Sequence, residues 1–241
     1  MRLPQWPVYN QVGALSSTRL GGYSKAPFDE FNLALHVGDR ADDVNSNRRR
    51  LAEFLPALPT WVNQVHGTDV LVVDSETPTE DTFSADALYT RVRKRPLAIM
   101  TADCLPILLA SRQGDEVAAI HAGWRPLAGG IIANTLKCFR AQPNEVVAWF
   151  GPAIGPTAFE VGTEVKEAFT SNMPSQAQAF MPSGGHKFLA DIFLLARIQL
   201  NALNIHSIYG DEHCTYQREK HFFSYRRDGQ CGRMATVIWR K

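Results

Sequence analysis

The sequence predicts an α/β or α+β protein in which mixed β-sheets are flanked by helices. Two observations carry that expectation. Short β-branched or apolar runs of strand length recur along the chain, and amphipathic segments of helical period lie between and after them. A third observation fits it: no internal repeat, low-complexity tract or charge block interrupts the alternation.

The first periodic segment places Val44, Leu51, Phe54 and Leu55 on one face behind Asp42 or Asp43 as a cap, which predicts a helix. Asp69–Asp74 (DVLVVD), Leu97–Thr101, Val117–His121 and Val146–Phe150 read as interior strands. Between the last two, Ala128, Ile132, Leu136 and Phe139 keep the i, i+4, i+8, i+11 spacing of a helix. Two further helices are predicted, one from about Gly162 to Thr170 and one from Leu189 to Leu203, where Leu189, Ile192, Ala196, Leu200 and Leu203 line up. The stretch from Met173 to Gly185 is rich in Pro, Ser, Gln and Gly and reads as a long loop. Helical pattern resumes directly after it, so residues 1–241 are read as a single domain. Strand candidates Ile205–Tyr209 and Met234–Trp239 flank the polar and aromatic segment HFFSYRRDG.

Composition limits the function classes. A chain of 241 residues with 45% hydrophobic content can build a full core. Its 25 basic and 24 acidic residues leave a formal charge of +1, which supplies no general field for nucleic acid or an anionic membrane. Affinity must come from a local site, which points to a small-molecule substrate. The start, MRLPQWPVYNQ, lacks the charged leader and apolar run of a signal peptide. The most apolar interior stretch, Leu97 to Ala110, is too short to span a bilayer and is broken by Thr101, Asp103 and Pro106. A soluble, cytoplasmic protein is expected. The four cysteines, at 104, 138, 214 and 231, form no CxxC pair, so reduced thiols are expected as well. With near-neutral charge and no coiled-coil pattern, a monomer is favoured.

Three segments each put a potential ligand at the edge of a strand beside small or turn-forming residues. They are Gln64-Val65-His66-Gly67, Thr101-Ala102-Asp103-Cys104 and His121-Ala122-Gly123-Trp124. A lone histidine in such a place is more often a hydrogen-bonded structural residue. Together, two imidazoles and a thiolate make a borderline-soft set suited to zinc, with a fourth tetrahedral position left for water or substrate. Spacing alone does not identify the set, because it matches no contiguous zinc-finger pattern. After His121, the segment HAGWRPLAGG reads as strand, glycine turn and helix start, where Arg125 beside free N–H groups can hold a phosphate or carboxylate; an ordinary strand-to-helix loop is the plain alternative. Arg48, Arg49 and Arg50 fan out from a helix, and Arg226 and Arg227 next to Asp228 are either an anion site or a surface ion pair. GPAIGP, at 151 to 156, reads as a rigid turn, and Cys214 beside His213 lacks partners at zinc spacing.

NQVHGTDV, SADALYT, TADCLPILLA, AAIHAGWRPLAGG, GPAIGPTAFEVGTEV, CTY and FFSYRRDGQCGRMATVIW resemble, in order and spacing, the YfiH family, also called laccase-domain or multicopper polyphenol oxidase-like proteins. The likeness extends upstream to STRLGGYS, FNLALHVGD and the pair Asn47-Arg48, and so covers nearly the whole chain. The resemblance implies an α/β domain with a cysteine-hydrolase-like fold. It also implies a His, Cys, His zinc site, carried here by His66, Cys104 and His121. The activity it implies is purine nucleoside phosphorylase, on inosine, adenosine, guanosine and methylthioadenosine, together with adenosine deaminase. Other relatives are linked to editing of cell-wall precursors.

Within that resemblance, Arg48 or Arg125 would balance the charge of a phosphate, Arg226 would bind an anionic group, and Asp86 or Asp103 would act as the acid in deamination. The alternative is a cysteine hydrolase in which Cys104 attacks an amide of a cell-wall precursor with His121 or His66 as base. A copper-dependent polyphenol oxidase is a weaker one: the seven histidines form no HxH pair, although Cu2+ can occupy the zinc donors in vitro.

Overall fold

The computed structural model describes residues 1–80, 82–210 and 213–241. Its strands are β1 (Val12–Ser16), β2 (Val70–Val73), β3 (Ala87–Thr90), β4 (Leu97–Thr101), β5 (Leu105–Ser111), β6 (Val117–Ala122) and β7 (Val146–Phe150). They continue with β8 (Glu160–Gly162), β9 (Phe180–Gly184), β10 (Lys187–Ala190), β11 (Ser207–Tyr209) and β12 (Met234–Arg240). The helices are α1 (Ala41–Ala52), α2 (Trp124–Ala128), α3 (Ile131–Leu136), α4 (Thr163–Thr170), α5 (Ile192–Ala202) and α6 (Tyr225–Asp228).

Among the described residues the strands form a six-stranded sheet of order β11-β7-β5-β6-β3-β2 and two three-stranded sheets, β1-β12-β4 and β8-β10-β9. The large sheet is mixed: β11–β7 and β2–β3 are parallel and the pairs between them antiparallel.

Strand alternation explains how the layers stack. Ile107 and Leu109 of β5, Ala118 and Ile120 of β6, and Ala148 and Phe150 of β7 enter a core shared with Ile131 and Ile132 of α3 and Phe193 and Leu200 of α5. The residues one step along, Leu108, Ala119 and Val147, face the other way and meet Leu97, Ile99 and Ile238 of the β1-β12-β4 sheet. The far side of that small sheet, Ala98, Met100, Ala235 and Val237, packs on Phe31, Leu33 and Leu51. The order is therefore helix, small sheet, large sheet, helices. Strands buried on both faces read as continuous apolar runs, which is why β4, β6 and β7 stand out in the sequence.

Several expectations change in the structure. The helix expected over 128–139 is two short helices separated at Gly129-Gly130, where Gly130 takes φ +89°, a left-handed conformation that glycine adopts at no steric cost. The expected helix from Leu189 begins at Ile192, because the Asp191 carboxylate caps it by accepting the Leu194 N–H at 2.9 Å, and Leu189 belongs to β10. The supposed loop from Met173 contains a 3₁₀ turn and strand β9, which pairs with β10 across a turn where Gly184 and Gly185 take positive φ. Neither Asp42 nor Asp43 caps α1: the capping position is Arg40, and both aspartates lie in the first turn, where their charge still complements the helix dipole. The helix ends at Ala52, so Phe54 lies beyond it and is exposed.

Candidate metal centre

Each of the three expected ligands is placed by a different piece of the sheet system. Cys104 sits in the short turn where the chain leaves β4, in the small sheet, and enters β5, in the large one. His121 lies within β6 and is buried, and its N–H donates to the Asp86 carbonyl at 2.7 Å. His66 occupies an exposed turn ahead of β2 with φ +57°, a costly backbone state for a residue with a Cβ.

Asp86 holds that turn in place. Its carboxylate is fully buried and accepts the backbone N–H groups of Val65 (3.2 Å), His66 (3.1 Å) and Gly67 (2.6 Å). The same carboxylate lies 2.7 Å from His121 Nδ1. Burial on its own would raise the Asp86 carboxyl, but the hydrogen bond from His121, those from the backbone and the charge on His121 hold it below the ordinary carboxylate range. With Nδ1 engaged, Nε2 of His121 is the ring nitrogen left for a metal or a proton.

The donor atoms of His66, Cys104 and His121 lie within 4.8 Å of one another. Cys104 Sγ and His66 Nε2 are 3.9 Å apart, and the two imidazoles meet edge to face with centroids 4.8 Å apart. Tetrahedral zinc bonds of about 2.0 Å to nitrogen and 2.3 Å to sulfur set neighbouring donors roughly 3.5 Å apart. The set needs only a small contraction to fit such an ion, and its exposed histidine leaves one side open. A cluster of two imidazoles and a thiol can thus hold a metal ion here, with Asp86 as the outer partner that orients one ligand.

Gly123 makes this convergence possible. A methyl group built at its Cα would stand 3.0 Å from Cys104 Sγ and 3.1 Å from His66 Cδ2. Gly123→Ala is expected to weaken zinc binding roughly tenfold while leaving the thermal midpoint within a few degrees, since it moves ligand tips and not the core. Competition against a zinc-sensitive dye would measure it, and unchanged affinity would show that the ligands have slack.

Without metal, the site is a charge pair. Burial alone would raise the Cys104 thiol, but the charge and hydrogen bond of His121, followed by those of His66, bring it down to about 6. Burial likewise would lower His121, yet the Cys104 charge and the Asp86 and Cys104 hydrogen bonds carry it up to about 9. Between those values a thiolate faces an imidazolium. Alkylation of Cys104 by iodoacetamide in metal-free protein is therefore expected to be fast at neutral pH and to slow as the pH falls through about 6. Cys138 and Cys231 provide the contrast, because burial raises both thiols. A midpoint for Cys104 in the ordinary thiol range would refute the pairing.

The donors open onto a cleft of about 510 Å³ whose lining includes His36, Gln64, Met100, Arg125, Tyr225 and Arg233. Gln64 anchors its own turn to β4, accepting the Met100 N–H at 2.7 Å and donating to the Met100 carbonyl at 2.8 Å. Cys104 also borders a smaller slot of about 150 Å³ whose walls are Trp124, Ile154, Phe159 and Ile192 together with the charged Asp103 and Arg226. Tyr225 borders both spaces.

The remaining residues expected at the site are placed unequally. Arg125 is exposed, lines the cleft and stacks on Trp124. Arg226 borders the slot, with its guanidinium over Phe159 and Nη1 donating to the Glu160 carbonyl at 2.9 Å. Arg48, in contrast, stacks on Trp61 and donates through Nε to the Leu33 carbonyl at 2.9 Å, and it lines neither space. Of the two carboxylates expected to serve as an acid, Asp86 is enclosed behind His121 and lines neither space, whereas Asp103 (φ +93°) lines the slot while accepting Thr215 Oγ1 at 2.6 Å, Ser224 Oγ at 3.0 Å and the Arg226 N–H at 2.6 Å. Both carboxylates position neighbours: Asp103 fastens α6, and so Tyr225, beside Cys104. Cys214, left out of the metal set, accepts the Gly155 N–H at 3.2 Å in the turn after β7.

Comparison with known proteins places these features in a family. A family model described as multi-copper polyphenol oxidoreductase laccase matches residues 13–241. The chain belongs to this family. The purine nucleoside phosphorylase YfiH of Escherichia coli (strain K12) is 49% identical over 239 residues, covering 98% of this chain and 97% of that protein. The purine nucleoside phosphorylase PA4543 of Pseudomonas aeruginosa is 44% identical, covering 98% and 96%. Among solved structures, the Neisseria meningitidis protein NMB0706 superposes with a TM-score of 0.94 at 44% identity, covering 99% of this chain and 98% of that one. YlmD from Geobacillus stearothermophilus gives 0.91 at 33% identity, covering 98% and 94%. This YfiH-type fold agrees with the mixed α/β architecture expected from the sequence. None of the described helices is long and apolar enough to cross a membrane.

Proposed function

We propose that this protein is a zinc-dependent purine nucleoside phosphorylase, acting on inosine, adenosine, guanosine or methylthioadenosine as a cytoplasmic monomer. The observation that supports it most directly is the junction at Cys104. The donor set of His66, Cys104 and His121 opens to a cleft with two arginines, and Cys104 also borders a largely apolar slot. Phosphorolysis needs that division, an anion held beside an uncharged base and sugar. The names of the relatives point the same way.

Zinc bound by the three donors would supply a Lewis-acidic charge for an oxygen ligand. Asp86 fixes the His121 ring through Nδ1, which would leave Nε2 for the metal, and it holds the backbone of the His66 turn. Arg125 balances anionic charge from the cleft side. Trp124 and Phe159 offer aromatic surface to a purine. Adenosine deamination, a second activity of this reading, has weaker support, because Asp86 is enclosed and Asp103, which lines the slot, already has both carboxylate oxygens engaged by Thr215, Ser224 and the Arg226 N–H.

Phosphate-dependent release of hypoxanthine from inosine, with zinc counted in the same sample, tests the reading. Activity should vanish on chelation and return with zinc; a zinc-loaded protein that releases no base would remove it. One observation favours a second reading. Asp86, His121 and a Cys104 thiol lowered to about 6 are arranged as in a thiol hydrolase, whose substrate would be an amide of a cell-wall precursor. Chelation should spare or raise that activity. Copper oxidase chemistry has less support: Cu2+ can enter the same donors, yet the histidines form no HxH pair.

A further inference from the structure

We propose that Arg233 is the principal phosphate ligand of the cleft, with Arg125 as its partner and Tyr225 as the wall that separates the anion from the base. This assignment rests on the phosphorylase reading. It follows from how each arginine near the site uses its N–H groups.

Arg233 is held in place from its own main chain. Nη1 donates to the Cys231 carbonyl at 2.8 Å and the Gly232 carbonyl at 3.1 Å, and the guanidinium lies 5.7 Å from the Tyr225 ring centroid. The backbone is pinned as well: the Arg233 N–H donates to Asn32 Oδ1 at 2.9 Å, and its carbonyl accepts the Leu33 N–H at 3.2 Å. Among the described residues, Nε and Nη2 have no partner, and no carboxylate lines the cleft. A half-buried guanidinium with two donors unused and no counter-charge is completed by an anion with several oxygens, and a fixed fork loses little freedom in binding one. Arg125 adds a second, exposed charge on the same lining.

Arg227, nearby, is spent on structure: it pairs with Asp228 and bonds the Thr215 and Phe222 carbonyls. Among the described residues the Arg226 guanidinium also bonds through Nη1 alone, to the Ala158 and Glu160 carbonyls, but it lines the slot beside Asp103 and not the cleft, and its charge already acts on the Glu160 carboxylate. The slot sets Asp103 beside Arg226 among apolar walls, so it offers a dianion one cation and one repelling carboxylate, where the cleft offers two cations and no carboxylate. The cleft therefore sorts the two substrates by charge.

The test uses zinc-loaded full-length protein and two readouts, the phosphate KM in inosine cleavage and the broadening of the inorganic phosphate 31P signal. Arg233→Gln should raise the phosphate KM about tenfold or more, as expected for loss of a bidentate charged contact, and should abolish the broadening. The inosine KM should stay within about twofold and the zinc content unchanged. Arg233→Lys should fall between, since it restores charge without the fork. If Arg233→Gln does not fold, Arg125→Gln carries the test, with a smaller rise in phosphate KM and partial loss of broadening. Unchanged phosphate KM and broadening in the folded variants would overturn the assignment, as would an absence of broadening in the wild type. If wild type gives broadening but no base release, the phosphorylase reading fails and the anion site stands. If adenosine 5′-monophosphate binds in an Arg233-dependent way and inorganic phosphate does not, the site serves a substrate's own phosphate and the proposal falls.

Discussion

On the phosphorylase reading, Cys104→Ala is expected to lower inosine cleavage by on the order of a thousandfold or more, the scale seen when an enzyme loses one member of a group that acts together. Two imidazoles remain in the variant, one of them on an exposed turn, and they form a poor site for a soft divalent ion. Zinc content should drop together with activity. The fold should survive, because the side chain lies half-buried at the rim of the cleft and not inside a core cluster. Metal content is the informative measurement: a wild type that purifies without zinc, yet loses an amidase activity in Cys104→Ala, would identify Cys104 as a nucleophile. A variant that keeps both zinc and phosphorolysis would remove the thiolate from the site altogether.

Asp86→Asn should damage both stability and metal binding, although the residue lines neither the cleft nor the slot. The change keeps the shape and removes a charged acceptor that serves three backbone N–H groups and one imidazole. Hydrogen bonds to charged groups are each worth about 1.5–3 kcal/mol, so a loss of roughly 2 kcal/mol or more is expected even if some bonds persist. A fall of several degrees in the melting midpoint would report it. Zinc affinity should decrease about 10- to 100-fold, since the asparagine can present its N–H₂ to Nδ1 and favour the wrong tautomer of His121. An unchanged midpoint and unchanged zinc affinity would show that the His66 turn is held by something else.

What could be read from the sequence follows physical lines. β4, β6 and β7 announce themselves because strands buried on both faces are apolar without interruption. β5 was hidden in the same apolar stretch as β4; the turn between them contains Asp103 and Cys104, and nothing local says that the chain changes sheets there. β9 and β10 escaped because Gly184, Gly185 and the polar residues around them look like a loop when the pairing partner is unknown. The metal ligands were legible as strand-edge residues, and the resemblance joined them. The duties of the charged residues were not legible, because they depend on contacts distant in sequence. Asp103 meets Thr215 and Ser224, Arg48 meets Leu33 and Trp61, and Arg233 comes beside Tyr225 and the cleft. Periodicity carries no information about such meetings.

The position of Cys104 between two sheets also constrains how the protein is made. β4 is an outer strand of the small sheet and its hydrogen-bonded neighbour is β12, which is synthesised long after it. Until β12 emerges and pairs, β4 is tied only by the Thr60 bridge and the Gln64 bonds to Met100, and the turn carrying the thiol is held chiefly from the β5 side. A metal held by these donors would be gripped in full only once β4 has its partner strand, so its retention would report a completed fold.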